Sequence, residues 1–477
     1  MEKYDLTVIG SGPGGYIAAI RAAQLGMKTA VIERDKPGGV CLNWGCIPSK
    51  ALLKCAEVYQ NFLHSEDYGI TSKGLSFDYS KVIQKSRNAS QVLTKGVEFL
   101  FKKNKIDLYN GIGKLVANNK VGVKGKRDDI ELSTNNILIC TGSVPRIIPG
   151  IDVDGKMVMT SDEAIKSTDF PKSVVIIGGG YIGAEFAYVY NSFGSKVTIV
   201  EMEENLIPGA DKEVAKTLEK VFKKSGMDVF TNTKYKSYKK TKTQVEVTVE
   251  NVKDSKETTI KASQMLIAIG RKAVANDAPS SYAFYKESKD IGLSVLGIDL
   301  DEYGFIKTNN DYETTCSNVY AIGDVIGPPL LAHKASEEGV VAVEKMNGID
   351  SRVHYNTIPS CVYCQPEIGS VGYTEEQAQE LGIKYNVGKF PFKAAGKAVA
   401  VGETEGFVKI ITDSNTGEVL GSHIIGHGAT EMIAELTVAK SLESTAIEIA
   451  ETSHAHPTLS EAIMEAALGT MGRARNI

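Results

Sequence analysis

A strand, a glycine-rich turn and a helix follow one another at two places in this chain, and this repeat restricts the possible folds more than any other feature. The glycines of the two GxGxxG turns are Gly10, Gly12 and Gly15 in the first copy and Gly178, Gly180 and Gly183 in the second. The first glycine of such a turn permits a tight reversal, the second lets the backbone approach a pyrophosphate, and the third lets the helix pack closely on the strand. Two copies predict two bound dinucleotides, with electrons passing between them.

Each copy continues into a second apolar strand that ends in an acid, Glu33 in the first copy and Glu201 in the second. A carboxylate at this position accepts a hydrogen bond from a ribose hydroxyl of the nucleotide. At the second site it would repel a 2′-phosphate, and no Lys or Arg occurs between Glu201 and Lys212. The sequence therefore predicts NAD, rather than NADP, at the second site.

The segment that follows each copy alternates between polar and apolar residues and then returns to a buried strand. These return strands are expected at residues 137–142 and 265–270, and we interpret each preceding region as an antiparallel meander. From about residue 352 the chain has strands and helices without a glycine fingerprint. The expected fold is α/β, with two Rossmann-like dinucleotide-binding domains that carry inserted antiparallel meanders, plus a C-terminal α+β domain.

Two cysteines, Cys41 and Cys46, lie in the segment GGVCLNWGCIPSK at residues 38–50. Pro48 and the helix-forming residues after it predict a helix that begins near Cys46, where the helix dipole and unpaired N–H groups favour a thiolate. In an unbroken helix, Cα atoms five residues apart are about 8.6 Å apart, which exceeds the limit of about 7 Å for a disulfide. A redox disulfide therefore needs a break, which Gly45 could supply. Two reduced structural cysteines remain the alternative at this point.

Composition excludes several classes of protein. The 477 residues carry a formal net charge of −4, which gives no basic footprint for nucleic acid. No apolar run approaches the ~20 residues that span a membrane. The N-terminus leads directly into an apolar strand, without a basic or Arg-rich leader, so we expect a cytoplasmic protein. Seven cysteines in so long a chain do not indicate a secreted disulfide framework.

Two further motifs carry polar residues at informative positions. A buried strand that begins near residue 315 ends at Asp324, which could contact a cofactor hydroxyl at the sheet edge or could cap the following helix. Near the C-terminus, His456 precedes Pro457, and we expect Glu461 about one turn into a helix. The carboxylate could orient the imidazole as a base for a dithiol, although a structural histidine is the alternative.

Taken together, GGVCLNWGCIPSK, the two GxGxxG units, the strand before Asp324 and HAHPTLSEA closely resemble the flavin-dependent pyridine nucleotide-disulfide oxidoreductases. The resemblance covers essentially the full length and is strongest to the NAD-dependent members that oxidise dihydrolipoamide. It implies FAD and NAD as cofactors, a homodimer, and lipoyl domains of 2-oxoacid dehydrogenase complexes or the glycine cleavage system as partners. The implied domains are FAD-binding (1–150), NAD-binding (151–272), central, completing the FAD site (273–350), and dimerisation (351–477).

The resemblance also implies roles for individual residues of this sequence. The implied catalytic residues are Cys41, Cys46, Lys50, Glu185, His456 and Glu461. The implied FAD contacts are Gly10, Gly12, Gly15, Glu33, Lys50, Gly113, Thr141, Gly142, Ser143, Asp324, Leu330, Leu331, Ala332 and His333, and the implied NAD contacts are Gly178, Gly180, Gly183, Glu201 and Gly270. Lys50 would lie near the flavin, paired with Glu185.

In the mechanism that the resemblance implies, dihydrolipoamide attacks Cys41, Cys46 passes the electrons to the flavin, and NAD⁺ receives them. His456 and Glu461 would act from the partner subunit. A glutathione-type reductase and a non-catalytic nucleotide-binding flavoprotein subunit are the alternatives. Trp44 departs from the family pattern, and its simplest role is packing. Cys361 and Cys364 form a CxxC without further ligands, so no metal site is predicted, and a regulatory disulfide is the less favoured alternative to structural thiols.

Overall fold

The computed structural model describes residues 2–71, 73–125, 129–275 and 291–477. The chain divides into two compact units. The first comprises Met1–Leu52, Ser76–Asp169 and Ile269–Val353, and the second comprises Leu53–Leu75, Phe170–Ala268 and His354–Ile477. Part of the expected central domain, residues 276–290, lies outside the described residues. The domain boundaries expected at residues 150, 272 and 350 stay predictions.

The strands of the described residues are numbered in chain order. They are β1 (Lys3–Ile9), β2 (Thr29–Glu33), β3 (Asp107–Ala117), β4 (Lys120–Gly125), β5 (Asp129–Ile139), β6 (Ser143–Pro145), β7 (Val158–Thr160), β8 (Ser173–Ile177), β9 (Lys196–Val200), β10 (Asp228–Phe230), β11 (Thr233–Lys240), β12 (Val245–Asn251), β13 (Glu257–Ala262), β14 (Gln264–Ile267), β15 (Arg271–Ala273), β16 (Val319–Ala321), β17 (Ser360–Val362), β18 (Glu367–Gly372), β19 (Tyr385–Pro391), β20 (Phe407–Asp413) and β21 (Val419–Gly426).

The helices are numbered in the same way. They are α1 (Pro13–Gln24), α2 (Gly39–Asn43), α3 (Cys46–Leu63), α4 (Tyr79–Lys103), α5 (Ser161–Ala164), α6 (Tyr181–Ser192), α7 (Lys212–Lys224), α8 (Ala332–Met346), α9 (Glu375–Glu380), α10 (Gly396–Val401), α11 (Ala429–Ser441), α12 (Ala446–Glu451) and α13 (Glu461–Thr470). Short 3-10 helices occur at Ser65–Tyr68, Ser294–Leu296, Gly323–Ile326, Tyr355–Thr357 and Phe392–Ala394.

The main sheet of the first unit is parallel in the order β3-β2-β1-β5-β16. Strands β3 and β5 are long enough to leave this parallel part and pair with β4 in antiparallel fashion. The expected meander is therefore present, and its return strand is the second half of β5 rather than a separate strand. Strand β1 lies between β2 and β5, and its run from Leu6 to Ile9 is buried, with Leu6 and Val8 fully so, as suits a central strand.

The second unit repeats the parallel arrangement and adds an antiparallel part. Strands β10, β9, β8 and β14 are parallel neighbours in that order. Strands β11, β12 and β13 form the expected antiparallel meander as a sheet of their own. The fold class expected from the sequence is confirmed.

The C-terminal part of the second unit is a five-stranded antiparallel sheet in the order β17-β18-β21-β20-β19. Val408, Ile410 and Ile424 of this sheet pack in one apolar core with Ile433 of α11 and Ile463 of α13. Five polar residues occupy neighbouring positions across the same five strands and alternate with these core residues. This polar ladder consists of Ser360, Ser370, His423, Lys409 and Lys389.

The helices of the described ranges include none that combines the length and the apolar character needed to cross a lipid bilayer.

Candidate active site

The two glycine-rich turns have the same close packing. A Cβ atom added to Gly15 would lie 2.0 Å from the carbonyl oxygen of Gly10, and one added to Gly183 would lie 2.0 Å from that of Gly178. Any side chain at Gly15 or Gly183 would therefore push α1 or α6 away from the strand before it. The structural role expected for the third glycine of each turn is thus met in both units.

The second glycine of each turn instead faces open space. Gly12 and Gly180 are the residues that precede α1 and α6, and neither helix start has a side-chain cap. A Cβ added to Gly12 or Gly180 would meet no atom of the described residues within 4 Å. Uncapped N–H groups beside open space suit a pyrophosphate group, so both turns fit a dinucleotide.

The two acids are held in the same way at the ends of β2 and β9. Glu33 accepts hydrogen bonds from the Ser11 backbone N–H and hydroxyl, at 2.9 and 2.6 Å, and from the Asp35 N–H. Glu201 accepts hydrogen bonds from the Gly179 N–H at 2.6 Å and from the Glu203 N–H at 2.9 Å. Both carboxylates are buried beside the glycine-rich turn, and their contact with a ribose stays a prediction.

The redox cysteine candidates lie on two consecutive helices with a break between them. Cys41 lies within α2, which ends at Trp44, and Cys46 is the first residue of α3. The break therefore occurs where the sequence predicts it, but Gly45 is not among the glycines with positive φ. Its lack of a side chain instead fits a close approach, because a Cβ at Gly45 would lie 3.3 Å from the Val40 carbonyl oxygen.

The Cys41 and Cys46 side chains interact directly, through a hydrogen bond between their sulfur atoms. The hydrogen bond to Cys46 and burial raise the pKa of the Cys41 thiol well above its ordinary value, although the Lys50 ammonium opposes this shift. The surroundings of Cys41 therefore favour its protonated form. Cys46 lies at the start of α3, where the helix dipole stabilises a negative charge.

Helix α4 braces the cysteine segment through small polar side chains, which sequence reasoning missed. The Ser86 hydroxyl donates to the Pro48 carbonyl oxygen at 2.8 Å, and the Thr94 hydroxyl donates to Asn43 Oδ1 at 2.9 Å. The Asn43 amide in turn donates to the Pro37 and Gly39 carbonyl oxygens. The sequence does contain a pattern that could have indicated these contacts. Ser86, Ser90 and Thr94 are four residues apart, so they lie on one face of α4, and all three are buried.

Trp44 lies between the two cysteines in the sequence, and its side chain has a hydrogen-bond partner and three cationic neighbours among the described residues. Its indole N–H donates to Asp35 at 2.8 Å, and the ring centroid lies 5.2 Å from Lys36 Nζ, 5.2 Å from the Arg87 guanidinium and 5.5 Å from Lys166 Nζ. The indole therefore packs among cations, an arrangement that its ring face favours.

Asp324 lies in the 3-10 helix after β16 and does not cap α8, because α8 begins at Ala332 with Leu331 before it. The capping alternative is therefore wrong. The Ser143 hydroxyl donates to Asp324 Oδ2 at 2.5 Å, and Arg271 donates to the Ser143 hydroxyl at 2.7 Å. Ser143 and Asp324, which the resemblance assigns to one site, are thus brought together, and Arg271 is an addition that the sequence did not single out.

Other residues expected at the FAD site also belong to the first unit. Thr141 donates to the Val274 carbonyl oxygen at 2.6 Å. Gly142 has a φ of +71°, and Gly113 lies on β3, where a Cβ would be 2.9 Å from Ile9. Leu330, Leu331, Ala332 and His333 form the approach to α8 and its first turn, whose N–H groups lack a side-chain cap.

His456 and Glu461 are paired in the second unit. His456 Nδ1 lies 2.9 Å from Glu461 Oε1, and the Thr458 N–H donates to Glu461 Oε2 at 2.9 Å. Glu461 is the first residue of α13, so the expectation that it lies one turn into the helix is wrong. The N–H of Thr458 and the hydrogen bond to His456 lower the pKa of Glu461. The imidazole is exposed, and its Nδ1 is the atom engaged with Glu461.

The remaining predicted site residues are Lys50, Glu185 and Gly270. Glu185 is buried on α6 and accepts a hydrogen bond from the Tyr363 N–H at 3.3 Å. Lys50 belongs to the first unit and Glu185 to the second, and their pairing stays a prediction. Gly270 has a φ of +97°, and its carbonyl oxygen accepts a hydrogen bond from the Arg146 N–H.

The chain belongs to a known family of oxidoreductases. The model of the pyridine nucleotide-disulphide oxidoreductases matches residues 4–339, and the model of the dimerisation domain of that family matches residues 358–467. The chain is a member of the pyridine nucleotide-disulphide oxidoreductase family, as the cysteine, glycine and histidine motifs indicate.

Curated relatives within this family share one name. The chain is 43% identical to the dihydrolipoyl dehydrogenase of Bacillus subtilis (strain 168) over 483 residues, covering 99% of each chain. It is 42% identical to the mitochondrial dihydrolipoyl dehydrogenase of Sus scrofa, over 99% of this chain and 92% of the relative. The mitochondrial dihydrolipoyl dehydrogenase of Pisum sativum is 40% identical, with 98% and 92% covered.

Two solved structures share the fold of this chain over nearly its full length. LpdA from Mycobacterium tuberculosis has a TM-score of 0.88 at 25% identity, over 98% of this chain and 99% of that chain. The HOCl-induced flavoprotein disulfide reductase RclA from Escherichia coli, as a Cu(II) complex, has a TM-score of 0.85 at 25% identity and the same coverage.

Proposed function

We propose that this chain is a flavin-dependent oxidoreductase that oxidises protein-bound dihydrolipoamide to lipoamide with NAD⁺ as the electron acceptor. This is the reaction of a dihydrolipoyl dehydrogenase, the name that the curated relatives carry over nearly the full length of the chain. The observation that carries the proposal is the interacting pair of Cys41 on α2 and Cys46 at the start of α3. A cysteine pair in that setting is suited to form a disulfide that exchanges with the dithiol of a substrate.

FAD and NAD are the cofactors of this reaction, and the residues present fit them. The first glycine-rich turn, Glu33 and Asp324 would hold FAD, and the second turn with Glu201 would hold NAD. Bound FAD supplies the two-electron redox chemistry that links a dithiol to a nicotinamide. The carboxylate of Glu201 suits a free 2′-hydroxyl rather than a 2′-phosphate, which favours NAD.

The thiol exchange uses residues of the chain itself. In the oxidised enzyme Cys41 and Cys46 form a disulfide, and one sulfur of dihydrolipoamide attacks Cys41 as its S–S bond to Cys46 breaks. The second sulfur of the substrate then attacks the mixed disulfide, which closes lipoamide and leaves Cys41 and Cys46 reduced. Two electrons and two protons leave the substrate in this exchange.

Of these two protons, one goes to the pair of His456 and Glu461, and the other stays on the reduced cysteine pair. His456 accepts a proton from the substrate thiol at Nε2, while Glu461 holds Nδ1 and stabilises the imidazolium that forms. We place this pair at the redox cysteines of the partner subunit in a homodimer, in keeping with the match to a dimerisation domain. Lipoyl domains of 2-oxoacid dehydrogenase complexes or of the glycine cleavage system are the proposed partners, and the cytoplasm is the proposed location.

Turnover of the purified protein tests the proposal. We expect NADH formation from NAD⁺ and dihydrolipoamide, and little reaction when NADP⁺ replaces NAD⁺ or when reduced glutathione replaces dihydrolipoamide. Reduction of glutathione disulfide by NADPH instead would support the glutathione-type alternative. Nucleotide binding without either activity would support a non-catalytic flavoprotein subunit.

A further inference from the structure

Lys409 is a buried lysine in the polar ladder of the C-terminal sheet. Its ammonium group lies 2.9 Å from Asp211, 2.6 Å from Glu375 and 3.6 Å from Glu213. Only 2% of its side chain is exposed. Burial opposes the charge, but hydrogen bonds to Glu375 and Asp211 outweigh burial and raise the pKa of Lys409. The sheet therefore presents a fixed positive charge to Asp211.

Asp211 ends the segment that carries the acid of the second nucleotide site. This acid-bearing loop, residues 201–211, begins with Glu201 directly after β9 and leads to α7. Asp211 caps α7 by accepting hydrogen bonds from the Glu213 and Val214 N–H groups, and it is fully buried. One end of the loop is thus fixed by the nucleotide site, and the other end is fixed by the ion pair with Lys409.

The middle of the loop contacts the glycine-rich turn itself. The Ile207 N–H donates to the Gly179 carbonyl oxygen at 2.9 Å, and the Glu201 carboxylate accepts from the Gly179 N–H. Ile207 has a φ of +49°, which is unfavourable for a β-branched residue and persists only where its surroundings hold it. A shift of the loop would therefore reach the turn that we assign to NAD.

A cavity lies behind the loop and gives it room to move. Its volume is about 130 Å³, and its lining includes Ile207, Gly209 and Ala210 of the loop, Tyr181 of α6, and Ser370 and His423 of the sheet. Ser370 Oγ and His423 Nδ1 have no hydrogen-bond partner among the residues described, so neither atom ties the loop to the sheet. The ion pair between Lys409 and Asp211 connects the loop to the sheet instead.

We propose that Lys409 is a positioning residue for the pyridine nucleotide, which acts through Asp211 to hold the acid-bearing loop against the glycine-rich turn. The inference rests on the proposed function in one respect, namely that NAD occupies the second glycine-rich turn. Lys409 does not touch the nucleotide. Its loss leaves Asp211 and Glu375 as negative groups without their cation, and the loop is then free to relax into the cavity.

The test is the affinity of the oxidised, FAD-loaded protein for NAD⁺, measured by titration calorimetry. We expect Lys409→Met to raise the Kd for NAD⁺ roughly tenfold, a typical size for coupling through a packed network. Asp211→Asn keeps a residue type that caps helices but removes the charge, so it should raise the Kd in the same direction. Lys389→Met is the matched control, because Lys389 is the exposed neighbour of Lys409 on β19 and pairs with Glu213 at the surface.

A second measurement separates positioning from general damage. The rate at which one equivalent of dihydrolipoamide reduces the protein without NAD⁺ should stay within twofold of wild type in all three variants. The proposal is overturned if Lys409→Met and Asp211→Asn bind NAD⁺ with the same Kd as Lys389→Met. It is also overturned if the reduction rates of Lys409→Met and Asp211→Asn fall by as much as their affinities for NAD⁺. If Lys409→Met does not fold, Asp211→Asn decides. A wild-type protein that binds NAD⁺ but does not oxidise dihydrolipoamide would contradict the proposed function alone.

Discussion

Lys334 and Glu338 form a buried ion pair one turn apart on α8, with 3.0 Å between Nζ and Oε1. Lys334 also donates to the Gly323 and Gly327 carbonyl oxygens, and Glu338 accepts a hydrogen bond from the Gly323 N–H. The pair therefore fastens both ends of the turn that presents Asp324. Removing one partner leaves an uncompensated buried charge, which costs about 3–5 kcal/mol.

We predict that Lys334→Met lowers the Tm and the fraction of chains that retain FAD after gel filtration. The physical reason is the buried charge left on Glu338, together with the loosened turn around Asp324. Lys345→Met on the same helix is the control, because Lys345 pairs with Asp350 at the surface, where such pairs contribute about 0–1 kcal/mol. Equal FAD retention in the two variants would show that the pair does not support the site.

A buried carboxylate predicts a pH dependence of stability. Asp162 is 4% exposed, and burial raises its pKa to about 6, although the nearby Arg271 opposes the shift. The folded chain therefore binds this proton more tightly than the unfolded chain. Ionisation of Asp162 thus costs stability, by about 3 kcal/mol for a shift of this size. The cost is fully present above about pH 6 and is lost as the pH falls from there toward the ordinary value of 3.8.

Asp162→Asn removes the ionisation while it keeps the shape of the protonated side chain. We expect a higher Tm than wild type at pH 8 and a clearly smaller difference at pH 5. Asp169→Asn, an exposed position nearby, should show no such pH dependence. A difference that is constant between pH 5 and pH 8 would mean that Asp162 does not titrate in this range.

The pair of His456 and Glu461 predicts a split between the two halves of the reaction. His456→Gln should slow reduction of the protein by dihydrolipoamide by roughly 10²–10⁴-fold, the usual contribution of a general base. Glu461→Gln should cause a smaller loss at every pH above about 5, because the lowered pKa of Glu461 keeps it ionised there. The Kd for NAD⁺ should not change in either variant. Stopped-flow reduction under anaerobic conditions measures the first effect, and an unchanged rate in His456→Gln would exclude it as the base.

Local patterns made much of this structure predictable. The glycine spacing, the acids Glu33 and Glu201 and the helix start at Cys46 each depend on a few neighbouring residues, and the structure has them where the sequence indicates. The position of Glu461 was missed by about one turn, because Thr458 and His456 bind its carboxylate at the first residue of α13. Helix ends depend on such contacts as much as on propensity.

Long-range contacts were not predictable in the same way. Lys409 and Asp211 are separated by 198 residues, and no local pattern marks them as partners. Lys334 and Glu338 have the spacing of an ordinary surface pair, and only the fold buries them. The support of Asn43 by Thr94 likewise depends on the packing of α4 on the cysteine segment. These contacts form when distant segments meet, so one sequence alone does not reveal them.

The central claim is that electrons from dihydrolipoamide pass through the disulfide of Cys41 and Cys46 before they reach NAD⁺. The measurement is NADH formed from dihydrolipoamide and NAD⁺ by wild type, Cys46→Ser and Cys55→Ser, each with its FAD content determined. Cys55→Ser is the matched control, because Cys55 lies on the same helix α3. We predict one NADH for each lipoamide in wild type and Cys55→Ser, and no NADH from Cys46→Ser although it retains FAD. NADH formation by Cys46→Ser at the wild-type rate would contradict the claim.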